Sequence, residues 1–129
     1  AGVMVTADGP KTLEFNCRLG DPETQAILPL LDGDLAALFL ACATGRLDPT
    51  ALRVRPGAAV SLTLAAAGYP DRPRTGDVVS GIAEAEATGA LVFQGGTALR
   101  GDDLVAAAGR VLSVVGTGGT VGEAADRAY

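Results

Sequence analysis

Two short runs at the start of the chain predict a β-hairpin. Val3–Thr6 is a mostly apolar strand candidate, apolar and polar residues alternate through Thr12–Asn16, and Asp8-Gly9-Pro10 between them is typical of a turn. Successive side chains of a strand point to opposite faces, so Leu13 and Phe15 are expected to share a buried face. The polar side chains that alternate with them are expected on the other face.

Two helices are predicted after the hairpin. Glu23–Leu31 is a short helical candidate, although it contains a proline. Leu35–Ala43 is the stronger candidate, because Asp34 can cap its first turn and Gly45 can end it. Cys42 lies inside this second apolar run and is expected to be a buried small hydrophobe.

The pattern after residue 48 predicts an antiparallel sheet with short helices. The expected elements are a buried strand at Ala58–Ala66, a short strand end at Val78–Ile82, a helical turn at Ala83–Ala87, and further strands at Leu91–Phe93, Leu104–Ala107 and Arg110–Val115. Thr120 can cap a terminal helix. The predicted fold class is therefore α+β. Residues 1–48 form a β-hairpin and two helices, and residues 49–129 form a small domain with an antiparallel sheet and a terminal helix.

The composition excludes several classes of site and partner. The chain has 129 residues, 48% of them apolar, which is enough for the core of a domain-sized unit. It contains no histidine, so a Ser-His or Cys-His nucleophile pair cannot form within it, and the commonest zinc sites are excluded. Ten basic and 15 acidic residues give a net charge of −5, which argues against a nucleic-acid partner.

The apolar runs and the cysteines bear on location. The longest apolar run, Leu35–Ala43, is far too short to span a bilayer, and no signal or transit peptide is visible, so no membrane partner is expected. Cys17 and Cys42 form no C-x-x-C pair and fit a reduced, cytoplasmic compartment. Ala1 leads directly into a strand pattern, and the last residues have the pattern of an uncapped helix, so we expect a piece of a longer protein.

Three polar side chains at the end of the predicted hairpin could bind a cation and phosphate. Glu14 and Asn16 are two residues apart and therefore on one face, where two oxygen donors suit a hard cation such as Mg²⁺. Arg18, two residues further on, can reach phosphate oxygens that the same cation binds. The spacing alone leaves a second interpretation open, in which Glu14 and Asn16 face water and Arg18 pairs with Glu14.

The longer string around these residues is more specific than their spacing. It is Leu13-Glu14-Phe15-Asn16-Cys17-Arg18-Leu19-Gly20-Asp21-Pro22-Glu23-Thr24-Gln25. This string resembles a motif of the ATP-grasp ligases, and most closely that of the phosphoribosylamine–glycine ligase family, from which it departs only in having Leu19 at a phenylalanine position. The resemblance continues in order over nearly the whole chain, through Gly45-Arg46-Leu47, Gly68-Tyr69-Pro70, Gly76-Asp77-Val78 and Gly109-Arg110-Val111-Leu112.

The resemblance implies a reaction and a role for each site residue. Members of the family use ATP to join glycine to 5-phosphoribosylamine in purine biosynthesis, by way of a glycyl phosphate. Glu14 and Asn16 match positions that bind the Mg²⁺ (or Mn²⁺) bridging the ATP phosphates. Arg18 matches a catalytic position beside the transferring phosphoryl group, where a guanidinium stabilises the spreading charge. For Asp21 and Glu23 the resemblance implies only loop shaping or substrate contact.

The chain also departs from the family pattern. Gln94-Gly95-Gly96-Thr97 stands where the family often has His-Ala-Gly-Thr, and Ala106-Ala107-Ala108 where it often has Thr-Ser-Gly, so polar contacts there are in doubt. The family's ATP-clamping lysines, adenine-contacting segment, Gly-rich loop and first acidic metal ligand have no counterpart here. We therefore expect residues 1–48 to be the last piece of an ATP-grasp domain whose partner is a missing N-terminal part of the same chain. Made alone, the 129-residue chain is expected to be inactive.

Two other interpretations remain open at this point. One is another ATP-grasp ligase, such as a biotin carboxylase or a carboxyaminoimidazole synthase, which share the Glu-x-Asn-x-Arg strand but usually lack the Cys-Arg-x-Gly-Asp-Pro-Glu string. The other is a non-catalytic interaction module whose apolar faces dock on a partner chain. The reading frame upstream of Ala1 distinguishes them, because only the ligases require a long extension with the remaining ATP-binding parts.

Overall fold

The computed structural model describes the backbone of residues 1–129 and every side chain except that of residue 49. The strands are β1 (Gly2–Thr6), β2 (Gly9–Glu14), β3 (Leu31–Asp32), β4 (Arg53–Val54), β5 (Ala58–Ala65), β6 (Leu91–Gln94), β7 (Thr97–Arg100), β8 (Asp103–Ala106) and β9 (Arg110–Gly118). The helices are α1 (Glu23–Ile27), α2 (Leu35–Ala43), α3 (Ile82–Ala87) and α4 (Val121–Ala128), with short 3₁₀ turns at Leu28–Leu30 and Pro49–Ala51. All the strand pairs are antiparallel, and the predicted α+β class is confirmed.

The hairpin forms as predicted, but its apolar side chains are not buried. β1 and β2 pair through a two-residue connection between Thr6 and Gly9. Leu13 is 65% exposed and Phe15 83% exposed, so the prediction that they share a buried face is wrong. The pairing register shifts next to Leu13, and no other described element packs extensively on this two-stranded sheet. The alternation therefore predicts which side chains share a face but not whether another element covers that face.

The second predicted helix, α2, has the expected bounds. The Asp34 side chain accepts a hydrogen bond from the backbone N–H of Ala37 at 2.9 Å, and Gly45 adopts a φ of 67°, as a helix-ending glycine does. None of the α2 residues is buried. Cys42 is therefore exposed, and its prediction as a buried hydrophobe is wrong, because an apolar sequence buries a helix only where another element lies against it.

The central sheet has the strand order β5-β9-β6 and carries the core. Ala58 pairs with Gly118 at one end of the β5–β9 ladder, and Ala65 pairs with Arg110 at the other. The side chain of Val115, in the middle strand, is fully buried. The core cluster on this sheet consists of Ala66, Ala106, Val111 and Leu112, with Val79, Ile82 and Val92 packed against it.

Helix α4 packs on β9 through positions without side chains. A Cβ atom added to Gly116 would overlap the backbone oxygen of Ala124 and lie 2.7 Å from the backbone nitrogen of Ala128. Both of these alanines are buried. Thr120 caps the helix as predicted, by accepting a hydrogen bond from the backbone N–H of Glu123 at 3.2 Å.

The N-terminal segment is attached to the central sheet in two places. Helix α1 packs against β5 and β9, and β3 pairs with β4, which lies just before β5. The domain boundary expected between residues 48 and 49 therefore lies in the segment between β3 and β4, two strands that are hydrogen-bonded to each other. No helix in the part of the chain that the structure describes combines the length and apolar composition needed to cross a membrane.

Some short elements differ from the sequence prediction. β7, β3 and β4 were not expected, because strands of two to four residues leave too few positions for an alternation to be recognised. Val78 makes only an isolated bridge to Val105, and Ile82 begins helix α3 rather than ending a strand. The predicted helix from Glu23 stops at Ile27, because Pro29 follows and the chain continues as a 3₁₀ turn.

Candidate active-site cleft

One surface cleft collects most of the site residues predicted from the sequence. It has a volume of about 350 Å³ and lies between the end of β2 and the first turns of α1. Its lining includes Glu14, Asn16, Arg18 and Glu23, together with Gly2 at the start of the hairpin. The structure thus brings together the residues proposed for metal binding and catalysis, and one of the two proposed for substrate contact.

Glu14 and Asn16 lie side by side, as the two-residue spacing predicts. The Nδ2 atom of Asn16 donates a hydrogen bond to Oε1 of Glu14 at 3.3 Å, although Asn16 itself lies just beyond the end of β2. Both side chains are exposed to solvent. In this structure the amide nitrogen of Asn16 faces the carboxylate, and the amide oxygen and the carboxylate are ligands of the kind that Mg²⁺ and Mn²⁺ prefer.

The chain supplies only part of a metal site. Mg²⁺ takes about six ligands, and Glu14 and Asn16 would provide two of them. Within the described residues, no group of three or more His, Cys, Asp or Glu side chains is placed to hold a metal ion. The donor set therefore fits a cation that takes its remaining ligands from substrate phosphates, water or other protein groups.

The Arg18 guanidinium is available for an anion in the cleft. Its Nη1 donates to the backbone oxygen of the neighbouring Leu19 at 3.1 Å. The ion pairs formed by the described side chains involve other arginines, so the alternative in which Arg18 pairs with Glu14 is not observed. A guanidinium with free N–H groups beside two oxygen donors suits a phosphate that binds a cation and an arginine together.

Glu23 and Asp21 lie in different places although only two residues separate them. Glu23 begins α1, and its carboxylate lies back over Gly20 at the edge of the main cleft. Asp21 instead faces the C-terminal part of the chain, where Nη1 of Arg110 donates to its Oδ2 at 3.1 Å and to its backbone oxygen at 2.7 Å. Gln25 donates to the other carboxylate oxygen of Asp21 at 2.9 Å.

These contacts shift the acidity of the paired groups. The hydrogen bond from Gln25 lowers the pKa of Asp21 most, and partial burial opposes it. The hydrogen bond and charge of Arg110 and the charge of Arg18 add to the lowering, so the pKa lies below its ordinary value. Arg110 also donates from Nε to the hydroxyl of Tyr69 at 3.0 Å, and the contacts with Tyr69 and Asp21 raise the pKa of its guanidinium. The pair is therefore ionised throughout the neutral range.

Tyr69 and Arg110 were not singled out as site residues from the sequence. Both occur in segments of the family resemblance, but 41 residues separate them and 89 separate Arg110 from Asp21. Together with Asp21, Arg110 lines a second, smaller cleft of about 150 Å³, which also includes Gln94. The Gln94 side chain accepts a hydrogen bond from the hydroxyl of Thr97 at 2.8 Å. Gln94, which stands where the family often has histidine, therefore helps to close the turn between β6 and β7.

Comparison with known families decides what kind of chain this is. The family model described as "Phosphoribosylglycinamide synthetase, C domain" matches residues 59–129, which is more than half of the chain. The chain belongs to this family. The matched region contains the central sheet, helix α4 and Arg110, and its start lies ten residues after the expected beginning of the C-terminal domain at residue 49.

Individual relatives of the chain are similar to it over its whole length. A phosphoribosylamine–glycine ligase of Mycobacterium tuberculosis is 53% identical over 99% of the chain, and one of Mesorhizobium japonicum is 46% identical over 100% of it. A trifunctional purine biosynthetic protein of Drosophila melanogaster is 46% identical over 99% of the chain, which corresponds to 10% of that protein. The two bacterial ligases are matched over only 30% of their own length.

A solved structure shows the same relationship in three dimensions. The crystal structure of a phosphoribosylamine–glycine ligase from Thermotoga maritima superposes with a TM-score of 0.82 at 38% sequence identity. The match covers 99% of this chain and 31% of that one. The similarity therefore includes the hairpin and the cleft, which lie outside the region matched by the family model.

Proposed function

We propose that this chain is the C-terminal part of an ATP-dependent phosphoribosylamine–glycine ligase, which joins glycine to 5-phosphoribosylamine to form glycinamide ribonucleotide in purine biosynthesis. The observation that carries the proposal is the cleft in which Glu14, Asn16, Arg18 and Glu23 meet, in a chain of this family. Residues 1–48 are proposed to end an ATP-grasp domain, and residues 49–129 to form the C-terminal domain.

The proposed reaction has two steps. A carboxylate oxygen of glycine attacks the γ-phosphorus of ATP, and ADP leaves, which gives a glycyl phosphate. The amine of 5-phosphoribosylamine then attacks the glycyl carbonyl carbon and loses a proton, inorganic phosphate departs, and the amide bond forms. Because the transferring phosphoryl group spreads negative charge over its oxygens, catalysis depends on groups positioned to stabilise that charge.

The cleft residues are proposed to divide this work. Arg18 hydrogen-bonds the transferring phosphoryl oxygens, and Glu14 and Asn16 hold Mg²⁺ or Mn²⁺. When bound, the cation neutralises phosphate charge. Substrate contact is proposed for Glu23, which lines the cleft, and loop shaping for Asp21, which is bound to Arg110.

The remaining parts of the site are proposed to come from the portion of the ligase that this chain does not contain. That portion would supply the adenine pocket, the phosphate-clamping lysines, the Gly-rich loop and a further acidic metal ligand. It would also cover the exposed apolar side chains of the hairpin and of α2. We further propose a cytoplasmic location, which the two free and exposed cysteines, Cys17 and Cys42, support.

Isotope tracing in the complete ligase tests the proposal. The purified enzyme is incubated with ATP, Mg²⁺, 5-phosphoribosylamine and glycine labelled with ¹⁸O in its carboxylate, and a parallel reaction lacks glycine. We expect glycinamide ribonucleotide, and we expect one ¹⁸O atom in the released phosphate, because the phosphate leaves with the oxygen that attacked. Product without labelled phosphate would reject the glycyl phosphate.

The same assay distinguishes the alternatives. Bicarbonate-dependent ADP formation with biotin in place of glycine would indicate a biotin carboxylase, and absence of ATP turnover would support a non-catalytic module. Either result would reject the ligase proposal.

A further inference from the structure

The side chain of Arg110 connects the C-terminal domain to the loop that forms the main cleft. It projects from the first residue of β9, next to the buried Val111 and Leu112, and its Nη1 contacts Asp21 twice. One of the two contacts is to the backbone oxygen of Asp21, at 2.7 Å. A hydrogen bond to the backbone restrains the path of the chain, whereas one to a flexible carboxylate restrains mainly a side chain.

The guanidinium is itself held in place by Tyr69. The Tyr69 hydroxyl accepts a hydrogen bond from Nε of Arg110 at 3.0 Å, and the Tyr69 ring lies against Gly109, where an added Cβ would be 2.5 Å from Cδ2. The residue before Arg110 must therefore lack a side chain for this ring to pack. With Asp21 on one side and Tyr69 on the other, the guanidinium has a fixed position between two segments of the chain.

Asp21 lies in the loop between Arg18 and helix α1, so a shift of its backbone would also shift residues that line the cleft. Arg18 precedes it by three residues, and Glu23 follows it by two at the start of α1. The neighbouring backbone is tied to α1, because the N–H of Thr24 donates to the oxygen of Gly20 at 3.2 Å and Gln25 bonds the Asp21 carboxylate. These hydrogen bonds therefore link the loop at Asp21 to the start of the helix.

We propose that Arg110 is a positioning residue for phosphoryl transfer, which holds Arg18 and Glu23 at the cleft through its contacts with Asp21. This inference rests on the proposed function. It assigns to the C-terminal domain a direct part in the geometry of a site whose residues belong to the N-terminal segment.

The first test replaces Arg110 in the complete ligase. We expect Arg110→Ala to lower kcat about 10- to 100-fold, because misplacement of a catalytic group by about 1 Å has effects of that order. The matched control is Arg55→Ala, which removes another exposed arginine that pairs with an aspartate, Asp32, at 3.4 Å and lies away from the cleft. We expect the control to retain kcat within about twofold. Equal kcat values for the two variants would overturn the proposal.

A double-mutant cycle separates positioning from a general structural role. If Arg110 acts through Arg18, Arg110→Ala has little further effect on kcat once Arg18→Ala is present, since the group to be positioned is gone. If Arg110 only stabilises the fold, the same fold-reduction appears in both backgrounds, and the proposal is rejected. Where Arg110→Ala does not fold, Arg110→Lys is used in the same cycle, because it keeps the charge but not the geometry of the guanidinium.

The wild-type enzyme separates this inference from the proposed function. An inactive wild-type ligase would contradict the proposed function. An active wild-type ligase in which the Arg110 variants behave like Arg55→Ala would contradict only the positioning role.

Discussion

The carboxylate of Glu14 and the amide of Asn16 are within hydrogen-bonding distance at the edge of an open cleft, and the Arg18 guanidinium beside them forms no ion pair with the side chains that the structure describes. The two-residue spacing on a strand predicts this pair, because it places both side chains on the same face. Under the proposed function, these groups supply charge to a bound phosphate, and substitutions of single residues test that role.

Replacement of Glu14 tests the proposed metal ligand. In the complete ligase, we expect Glu14→Ala to reduce kcat/KM for Mg²⁺-ATP by about two orders of magnitude, because the phosphate charge is left under-neutralised. Asp8→Ala is the control, since Asp8 is an exposed carboxylate at the other end of the same hairpin. Steady-state kinetics with varied Mg²⁺ measures both, and near-normal turnover by Glu14→Ala would remove Glu14 from the site.

The geometry of the Arg18 side chain gives a separate prediction. Arg18→Lys keeps the positive charge but loses the planar fork that bonds two phosphoryl oxygens, so we expect kcat to fall by about two orders of magnitude. Arg46→Lys, at an exposed arginine after α2, is the matched control and should leave kcat unchanged. If the two lysine variants turn over equally fast, Arg18 does not stabilise the transferring phosphoryl group.

The contacts of Asp21 predict a pH dependence. Gln25 and Arg110 lower its pKa in the folded protein, so the stability that these contacts contribute is present above the pKa of the unfolded chain. It is lost as the pH falls through the lowered pKa of the folded state. We expect Gln25→Ala and Arg110→Ala each to raise the pKa of Asp21, as followed by NMR titration of its carboxyl carbon. An unchanged titration in both variants would show that neither residue contacts this carboxylate in solution.

Sequence and structure agree unevenly for individual residues. The contact between Glu14 and Asn16, and the place of Arg18 in the same cleft, agree with the prediction because these residues are close along the chain, although β2 itself ends at Glu14. Leu13 and Phe15 are not predicted correctly as buried, since spacing identifies a face but not what covers it. The contact between Asp21 and Arg110 joins positions 89 residues apart, and nothing local in either segment indicates the other.

Elements of eight or more residues agree best with their predicted positions. β5 and α2 begin where expected, because their apolar runs are long and bounded by turn or capping residues. The short strands β3, β4 and β7 exist only through their pairing partners, which no local pattern identifies. The close packing of α4 on β9 likewise depends on small residues whose role appears only in three dimensions.

The glycine at the contact between α4 and β9 gives an element-level prediction. Gly116→Ala would place a methyl group against the backbone of Ala124 and Ala128, so we expect it to destabilise the chain by about 1–3 kcal/mol. Gly122→Ala is the control, because an added Cβ at Gly122 within α4 would make only an ordinary contact with the Thr120 hydroxyl, at 3.8 Å, and alanine favours the helix. Chemical unfolding should therefore show a lower free energy of unfolding for Gly116→Ala and a higher one for Gly122→Ala. A stability loss from Gly116→Ala no larger than that from its control would indicate that α4 does not pack as described.

At the scale of the whole molecule, large apolar side chains remain exposed on α2 and the hairpin. Leu40 is 66% exposed and Phe39 46% exposed on a helix without a buried residue. Apolar surface of this kind associates with other apolar surface in water. The proposed remainder of the ligase would cover this apolar surface. When that part is absent, the same surface on a second copy of the chain can pack against it.

Self-association of the isolated chain follows from this exposure. We expect sedimentation velocity to show oligomers that grow with protein concentration, and we expect Leu40→Gln to reduce them. Leu99→Gln makes the same change at an exposed leucine on β7, away from α2, and should leave the association unchanged. If the chain is monomeric at all concentrations, the exposed apolar side chains of α2 do not mediate self-association.

The most direct test of the account compares the 129-residue chain with the complete ligase to which it is proposed to belong. Each is incubated with ATP, Mg²⁺, glycine and 5-phosphoribosylamine, and glycine-dependent ADP formation is measured against a control without protein. We predict activity for the complete ligase and none for the chain alone, because Glu14 and Asn16 would supply only two of about six metal ligands and the adenine pocket is proposed to come from the rest of the ligase. Glycine-dependent ADP formation by the chain alone, or its absence from the complete ligase, would contradict the account.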